Sequence, residues 1–429
     1  MQTHSLEQIY QLFLQSKGIS TDSRSIKPQT LFFCLKGENF NANKFAVEAI
    51  KKGALAAIAD EQPEESLPEI LLVDNVLQTL QQLANLYRRQ FSIPVLGITG
   101  SNGKTTTKEL IHAVLQTKFK THATSGNLNN HIGVPLTLLS MPTDTEIAII
   151  EMGANHRGEI GQLSAIAEPD FGLITNIGKA HLEGFGGFEG VIKTKSELYH
   201  WIRNHGKAIF INGDDSLLMS LSDSLERISY GQNTNNIFQG NLIPTDSFLE
   251  ISIAGRSIRT NLLGEYNFYN AMAAYSIGSY FGVEIENIQF ALESYMPENK
   301  RSQLIHSEKN EIYLDAYNAN PTSMKAALES FVKSDKKLKS VILGDMLELG
   351  SESFDEHFQL VEMLRKLPLE NIILVGPEFL KTKNDSSGFH YFLNYAEAAK
   401  YLANNPLENQ YVLVKGSRGI ALENLLPNL

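Results

Sequence analysis

The chain has 429 residues, beyond the roughly 250–300 at which one hydrophobic core stops growing, so two or three domains are expected. With 42% hydrophobic and 20% charged residues its composition is globular, and a formal net charge of −11 argues against a protein that coats nucleic acid, whose phosphates are held by dense Lys and Arg. The single cysteine, Cys34, can form no intramolecular disulfide, which fits a reducing compartment, and its apolar run, Leu31 to Leu35, marks it as a small core residue.

Met1 to Leu14 shows no basic stretch followed by an apolar one, and no run of about 18 apolar residues occurs. A soluble cytoplasmic protein with no membrane insertion is expected. Apolar runs at Leu31–Leu35, Ala56–Ala59 and Ile70–Val73 alternate with helical patterns, and Val76 to Phe91 reads as an amphipathic helix closing a small α/β domain over residues 1–90. A second domain, 91–298, opens with strand Val95–Thr99, a Gly-rich turn and a helix bearing Leu110, Ile111, Val114 and Leu115 on one face. Ile147–Ile150, Leu173–Ile177 and Ala208–Ile211 are continuous apolar runs of the kind central parallel strands show, so this domain is predicted to be doubly wound. Residues 225 to 263 alternate polar and apolar with turn signals, predicting an antiparallel appendage before a helix at Phe268–Tyr280. From 299 to 429 strand and helix alternate again, with strands at Ile312–Asp315, Val341–Gly344, Ile372–Gly376 and Val412–Lys415 and a helix at Ser323–Val332.

The turn after Val95–Thr99 reads Thr99-Gly100-Ser101-Asn102-Gly103-Lys104-Thr105-Thr106. A Gly-rich strand-to-helix turn lets backbone N–H groups and a helix N-terminus cradle phosphates, with Lys104 neutralising the β and γ phosphates and the Thr105 hydroxyl on Mg²⁺. Ile98 stands where the strict phosphate-loop pattern has its first glycine, and an ordinary turn with an exposed lysine is the plain alternative. Glu151, closing the run Ile147–Ile150, falls at the carboxyl edge of the sheet, where ligands bind in open α/β folds; by residue type it is equally a metal ligand or a helix-capping or solvated carboxylate. His181 follows the next strand, either as a metal ligand or as a satisfied structural histidine. Lys195 by itself reads as a solvated helix lysine. Asn267 and Asn270, three apart at a helix start, could cap that helix.

Thr-Gly-Ser-Asn-Gly-Lys-Thr-Thr resembles the signature shared by the Mur ligases and the folylpolyglutamate synthetases. The resemblance implies a three-domain Mur ligase architecture, α/β throughout, with a central P-loop-type domain and a Rossmann-like C-terminal domain. It also implies two Mg²⁺ ions, held by Thr105, Glu151, His181 and Lys195. In the family the lysine matching Lys195, in Lys193-Thr194-Lys195-Ser196-Glu197, is carbamylated. Lys104, His181 and Lys195 would then be the catalytic side chains. Gly264-Glu265-Tyr266-Asn267-Phe268-Tyr269-Asn270-Ala271 is similar to the family's adenine-contacting segment, with Tyr266 in place of the usual histidine, so Asn267 and Asn270 are assigned to ATP. Arg301 and Asp315 match the residues that reach the nucleotide from the third domain.

Asp315-Ala316-Tyr317-Asn318-Ala319-Asn320-Pro321, Gly344-Asp345-Met346-Leu347-Glu348-Leu349-Gly350, Thr124-Ser125-Gly126-Asn127-Leu128-Asn129-Asn130 and Lys415-Gly416-Ser417-Arg418 resemble the dipeptide-adding branch of the family. No Asp-Asn-Pro-Arg motif, the mark of the diaminopimelate-adding relative, occurs. The implied reaction joins D-alanyl-D-alanine to a UDP-N-acetylmuramoyl-tripeptide through an acyl phosphate, a step of peptidoglycan precursor synthesis that serves the cell wall, cell shape and division. The implied substrate contacts are Ser23, Arg24, Thr124, Asn127, Asn129, Asn130, Tyr317, Asn318, Asn320 and Lys415. A monomer is expected. The rival readings are a related ligase that adds a single amino acid, and a nucleotide-binding module without turnover.

Overall fold

In a computed structural model the described residues are 4–63, 65, 67–245, 248–297, 302–383 and 388–429. They form three large sheets in chain order, with a two-stranded ribbon of Lys36–Gly37 and Phe40–Asn41 beside the first. The first is a four-stranded parallel sheet of Ile19–Ser20, Leu31–Phe33, Ala56–Ala59 and Ile70–Leu72. Leu31, Phe32 and Phe33 are wholly buried, and each such side chain contributes about 1.5–3 kcal/mol by leaving water. Cys34 lies in the same core, where burial pushes its thiol up to about 12. Helix Val76–Arg88 leaves this sheet and docks on the next. Its Arg88 guanidinium donates to the carbonyls of Ala167 at 3.0 Å and Glu168 at 3.0 Å, and the Tyr87 hydroxyl donates to that of Met141 at 2.8 Å.

The middle sheet has nine strands. Its parallel centre places Val95–Thr99 between Ile147–Glu151 and Phe171–Ile174, with helices Lys104–Leu115 and Phe268–Tyr280 packed together over it. The chain crosses from one side of Val95–Thr99 to the other at this point, a switch in strand order that opens a crevice at the carboxyl edge. Residues 227–263, expected as an antiparallel appendage, continue this sheet and become antiparallel only beyond Arg227–Gly231. Arg227–Gly231 pairs in parallel with both Ala208–Asn212 and Phe238–Ile243, and only Phe238–Ile243, Phe248–Ile253 and Arg256–Leu263 are antiparallel. The third sheet has six strands, all parallel except the edge strand Gln303–His306, with Glu311–Asp315, Tyr411–Lys415 and Lys339–Gly344 side by side. The molecule is thus α/β throughout. Among the described residues no helix is long and apolar enough to cross a membrane.

Candidate functional site

Three adjacent middle-sheet strands, Ile147–Glu151, Val95–Thr99 and Phe171–Ile174, run parallel and end in loops on one sheet edge. Three adjacent third-sheet strands, Glu311–Asp315, Tyr411–Lys415 and Lys339–Gly344, do the same. A cavity of about 800 Å³ lies between the two sets of loops.

The phosphate-loop segment follows Val95–Thr99 and is pinned by the loop after Phe171–Ile174. Thr175 Oγ1 donates to the Asn102 carbonyl at 2.6 Å, Asn102 N–H to Asn176 Oδ1 at 3.0 Å, and Gly178 N–H to Ser101 Oγ at 2.9 Å. Gly100 stands at φ +145°, and a Cβ there would meet Thr175 Oγ1 at 2.0 Å, so this close approach requires glycine. Helix Lys104–Leu115 then points its N-terminus at the cavity. Lys104 Nζ folds back onto the carbonyls of Gly100 at 2.7 Å and Ser101 at 3.3 Å. Ser101, Asn102, Gly103, Lys104, Thr105 and Thr106 line the cavity, whereas Gly100 turns the chain behind it.

Glu151 is 1% exposed. Its Oε1 accepts from Thr105 Oγ1 at 3.1 Å and Asn129 Nδ2 at 2.7 Å, while its backbone N–H donates to Thr124 Oγ1 at 2.9 Å. Its Oε2 is buried and has no hydrogen-bond partner among the described residues. An orphaned buried carboxylate oxygen is costly unless a cation sits against it, and a hydroxyl one contact away completes a hard-oxygen donor pair of the kind Mg²⁺ takes. Glu151 caps no helix. Thr124 is buried behind this group and does not line the cavity; Asn127, Asn129 and Asn130 do.

His181 also lines the cavity, in the left-handed region at φ 53°, and its Nδ1 meets the Glu348 carboxylate of the opposite wall. Lys195 is not the solvated lysine its residue type suggests. It is 1% exposed on helix Phe188–His205, with Nζ 5.3 Å from the centre of the Phe185 ring and no hydrogen-bond or ion-pair partner among the described residues. Burial, and then the charge of Lys104, hold its ammonium well below the ordinary lysine range. Lys195 lies behind the cavity wall rather than in it. No cluster of three or more His, Cys, Asp or Glu side chains able to hold a metal occurs among the described residues, so Glu151 or His181 would need other donors beside it to complete a metal site.

Asn267 and Asn270 line the cavity; Asn267 stands at the N-cap of helix Phe268–Tyr280, but its side chain makes no capping hydrogen bond. Asn270 Nδ2 donates to Asn267 Oδ1 at 2.7 Å, and Thr107 Oγ1 donates to Asn270 Oδ1 at 2.9 Å, tying the phosphate-loop helix to helix Phe268–Tyr280. On the facing wall Asp315 is ion-paired with Lys415, which also reaches the Asn318 carbonyl at 3.3 Å; Tyr317 and Asn318 line the cavity beside them. Asn320 stands at the rim. It caps helix Pro321–Lys333 and donates to Asn102 Oδ1 at 2.7 Å. Ser23 and Arg24 lie on the first sheet's side of the molecule and do not line the cavity; Arg24 pairs with Asp22 at 2.8 Å. Arg301 lies outside the described residues.

Sequence reasoning gave no role to Tyr266, Glu348 or Arg418, all of which line the cavity. The Tyr266 hydroxyl reaches Ser302 Oγ at 3.0 Å and the Tyr313 hydroxyl, so it ties the middle wall to the third. Glu348 and Arg418 sit in the quoted segments 344–350 and 415–418, which was the one signal available for them.

Three family models match in order along the chain: Mur ligase family, catalytic domain, over residues 15–88; Mur ligase middle domain over 98–278; and Mur ligase, glutamate ligase domain over 300–418. The UDP-N-acetylmuramoyl-tripeptide--D-alanyl-D-alanine ligase of Bacillus subtilis (strain 168) is 36% identical over 96% of this chain and 93% of its own length; that of Escherichia coli (strain K12) is 32% identical over 95% and 92%. Among solved structures, MurF from Acinetobacter baumannii superposes with a TM-score of 0.88 at 32% identity, covering 100% of this chain and 99% of that one. MurF ligase from Thermotoga maritima in complex with ADP gives 0.84 at 28% identity, covering 97% of each.

Proposed function

The chain belongs to the Mur ligase family, and from that premise we propose that it is the ATP-dependent, ADP-forming ligase that joins D-alanyl-D-alanine to a UDP-N-acetylmuramoyl-tripeptide in peptidoglycan precursor synthesis. The observation that carries this reading is the shared cavity. Phosphate-loop residues, an orphaned carboxylate, a histidine and an opposing wall of polar third-sheet residues face one space large enough for a nucleotide and the reacting ends of two further substrates.

We assign residues 1–90 to the UDP end of the substrate, 91–298 to ATP and 299–429 to ATP and the incoming dipeptide. The backbone amides at 101–106 and the N-terminus of helix Lys104–Leu115 bind the triphosphate. Lys104 exchanges two backbone carbonyls for phosphate oxygens. Thr105 and Glu151 are suited to one Mg²⁺, and His181 with Lys195 to a second. Magnesium, when bound, would offset the charge of the triphosphate and of the approaching carboxylate. Lys195 supports this assignment chemically. Burial disfavours its ammonium, and the neutral amine form can add CO2, releasing one proton and leaving a carbamate anion where an ammonium could not hold a cation. The peptide carboxylate takes the γ-phosphoryl group, the dipeptide amine attacks the resulting acyl phosphate, and phosphate leaves. Contact between the two walls excludes water that would hydrolyse this intermediate.

The test supplies ATP, Mg²⁺ and the UDP-N-acetylmuramoyl-tripeptide, and compares D-alanyl-D-alanine with single amino acids as acceptor. Phosphate release and amide formation should require the dipeptide. Release that ignores it, or that responds equally to a single amino acid, overturns the assignment.

A further inference from the structure

Most charged side chains on the third-sheet wall of the cavity are already matched. Asp315 holds Lys415, and Glu348 holds His181. Arg418 is the exception. It lines the cavity from the loop after Tyr411–Lys415, and among the described residues no carboxylate pairs with it and no side-chain or backbone acceptor takes its hydrogen bonds. Its guanidinium lies 5.7 Å from the centre of the Tyr317 ring, an aromatic face that orients the planar group without consuming its N–H donors. Beside it stands an apolar surface. Leu347, 41% exposed, also lines the cavity, and its Cδ1 lies so close to Gly419 that a Cβ there would stand 3.0 Å from it. A rigid fork of donors next to small apolar contacts fits a ligand with one carboxylate and short aliphatic side chains. It does not fit a triphosphate, whose dense charge calls for many donors, and the phosphate-loop amides that supply them belong to the opposite wall.

We propose that Arg418 is the specificity residue for the incoming dipeptide, donating to its C-terminal carboxylate in a bidentate pair while Tyr317 and Leu347 contact its methyl groups. This assignment rests on the dipeptide-ligase reading above. With the carboxylate fixed at Arg418, the amino end of the two-residue acceptor is directed back into the cavity toward the acyl phosphate. A single amino acid anchored at the same guanidinium presents its amine one residue short of that position.

The experiment measures steady-state kinetics of the full chain with D-alanyl-D-alanine and with D-alanyl-D-alaninamide, which lacks the carboxylate, for the native protein, Arg418→Ala and Arg418→Lys. Loss of a charge-assisted bidentate pair should raise the KM for the dipeptide about 10- to 100-fold in Arg418→Ala, leave the KM for ATP within about twofold, and leave the already weak use of the amide unchanged. Arg418→Lys, which keeps the charge but not the fork, should fall between. Equal use of dipeptide and amide by the native protein, an equal loss on both acceptors in Arg418→Ala, or a rise confined to the KM for ATP overturns the assignment. A native protein that forms no amide with either acceptor refutes the ligase reading itself and takes this assignment with it.

Discussion

Both walls of the cavity are loops that follow three adjacent parallel strands, yet their side chains are secured differently. On the middle-sheet wall Thr124, Glu151, Thr105 and Asn129 form one network inside a single sheet, with Glu151 fully buried. On the third-sheet wall several polar groups find their partners across the cleft: Glu348 on His181, Asn320 on Asn102, Glu356 on Lys179 and Tyr313 on Tyr266. The two ion pairs each have a largely exposed partner and contribute little. The phosphate side is therefore built in advance, while the acceptor side depends on the two sheets meeting.

The comparison is broken most strongly at its most buried point. Glu151→Gln keeps the shape and the Thr105 contact but removes the charge beside the orphaned oxygen, and phosphate release should fall on the order of 1000-fold with little change in the unfolding midpoint. A loss below tenfold would remove Glu151 from the metal assignment. On the facing wall the matching disruption acts on stability. Asp315→Ala strands Lys415, which is 2% exposed, and should cost about 3 kcal/mol in urea unfolding. Replacing both residues with Leu and Met should recover that stability without recovering turnover, because an apolar pair repacks but binds no substrate. If the single variant unfolds like the native protein, the pair is not what shapes this wall.

Lys195 sharpens the contrast because it lies behind the prebuilt wall. Lys195→Ala should lose about 100-fold in turnover, comparable to the loss of a group that supports a metal site, and added acetate or bicarbonate should restore part of it. The variant should not be destabilised by a lost ion pair, since the described residues give the ammonium none. Native turnover in Lys195→Ala would reject the carbamate.

The elements most legible in the sequence were those buried on both faces. Ala56–Ala59, Val95–Thr99 and helix Phe268–Tyr280 stand at the residues their apolar pattern predicted. The expected strand Leu173–Ile177 instead spans Phe171–Ile174, and the side chains of Thr175 and Asn176 beyond it bond the phosphate loop, a tertiary demand that apolar runs do not reveal. Likewise Arg227–Gly231 alternates like an antiparallel strand but pairs in parallel on both sides, since alternation reports exposure of the faces and not strand direction. At the site, Thr105 and Glu151 were legible because a strand end and a Gly-rich turn place them. The partnership of His181 with Glu348, 167 residues apart, depends on how two sheets meet, and no local pattern encodes it.

The smallest expected effect tests whether that meeting has a measurable energy. Asn320 Nδ2 donates to Asn102 Oδ1 at 2.7 Å, and this is a direct hydrogen bond between the phosphate loop and the third-sheet wall. Asn320→Ala would confound the measurement, because the same side chain caps helix Pro321–Lys333 through Ser323 N–H at 2.9 Å. Asn320→Ser keeps a capping oxygen but is too short to span the cleft, and Asn102→Ala removes the other partner. The double-mutant cycle should give a coupling of about 1 kcal/mol, since capping and solvation changes common to both backgrounds cancel. Measured with and without ADP, the coupling should be larger with the nucleotide if occupancy of the phosphate loop favours contact between the walls. A coupling of zero in both conditions would mean that the walls are held together by their other contacts, Tyr266, Lys179, His181 and the Lys333–Glu265 pair among them, and that the phosphate loop does not sense the third sheet through Asn102.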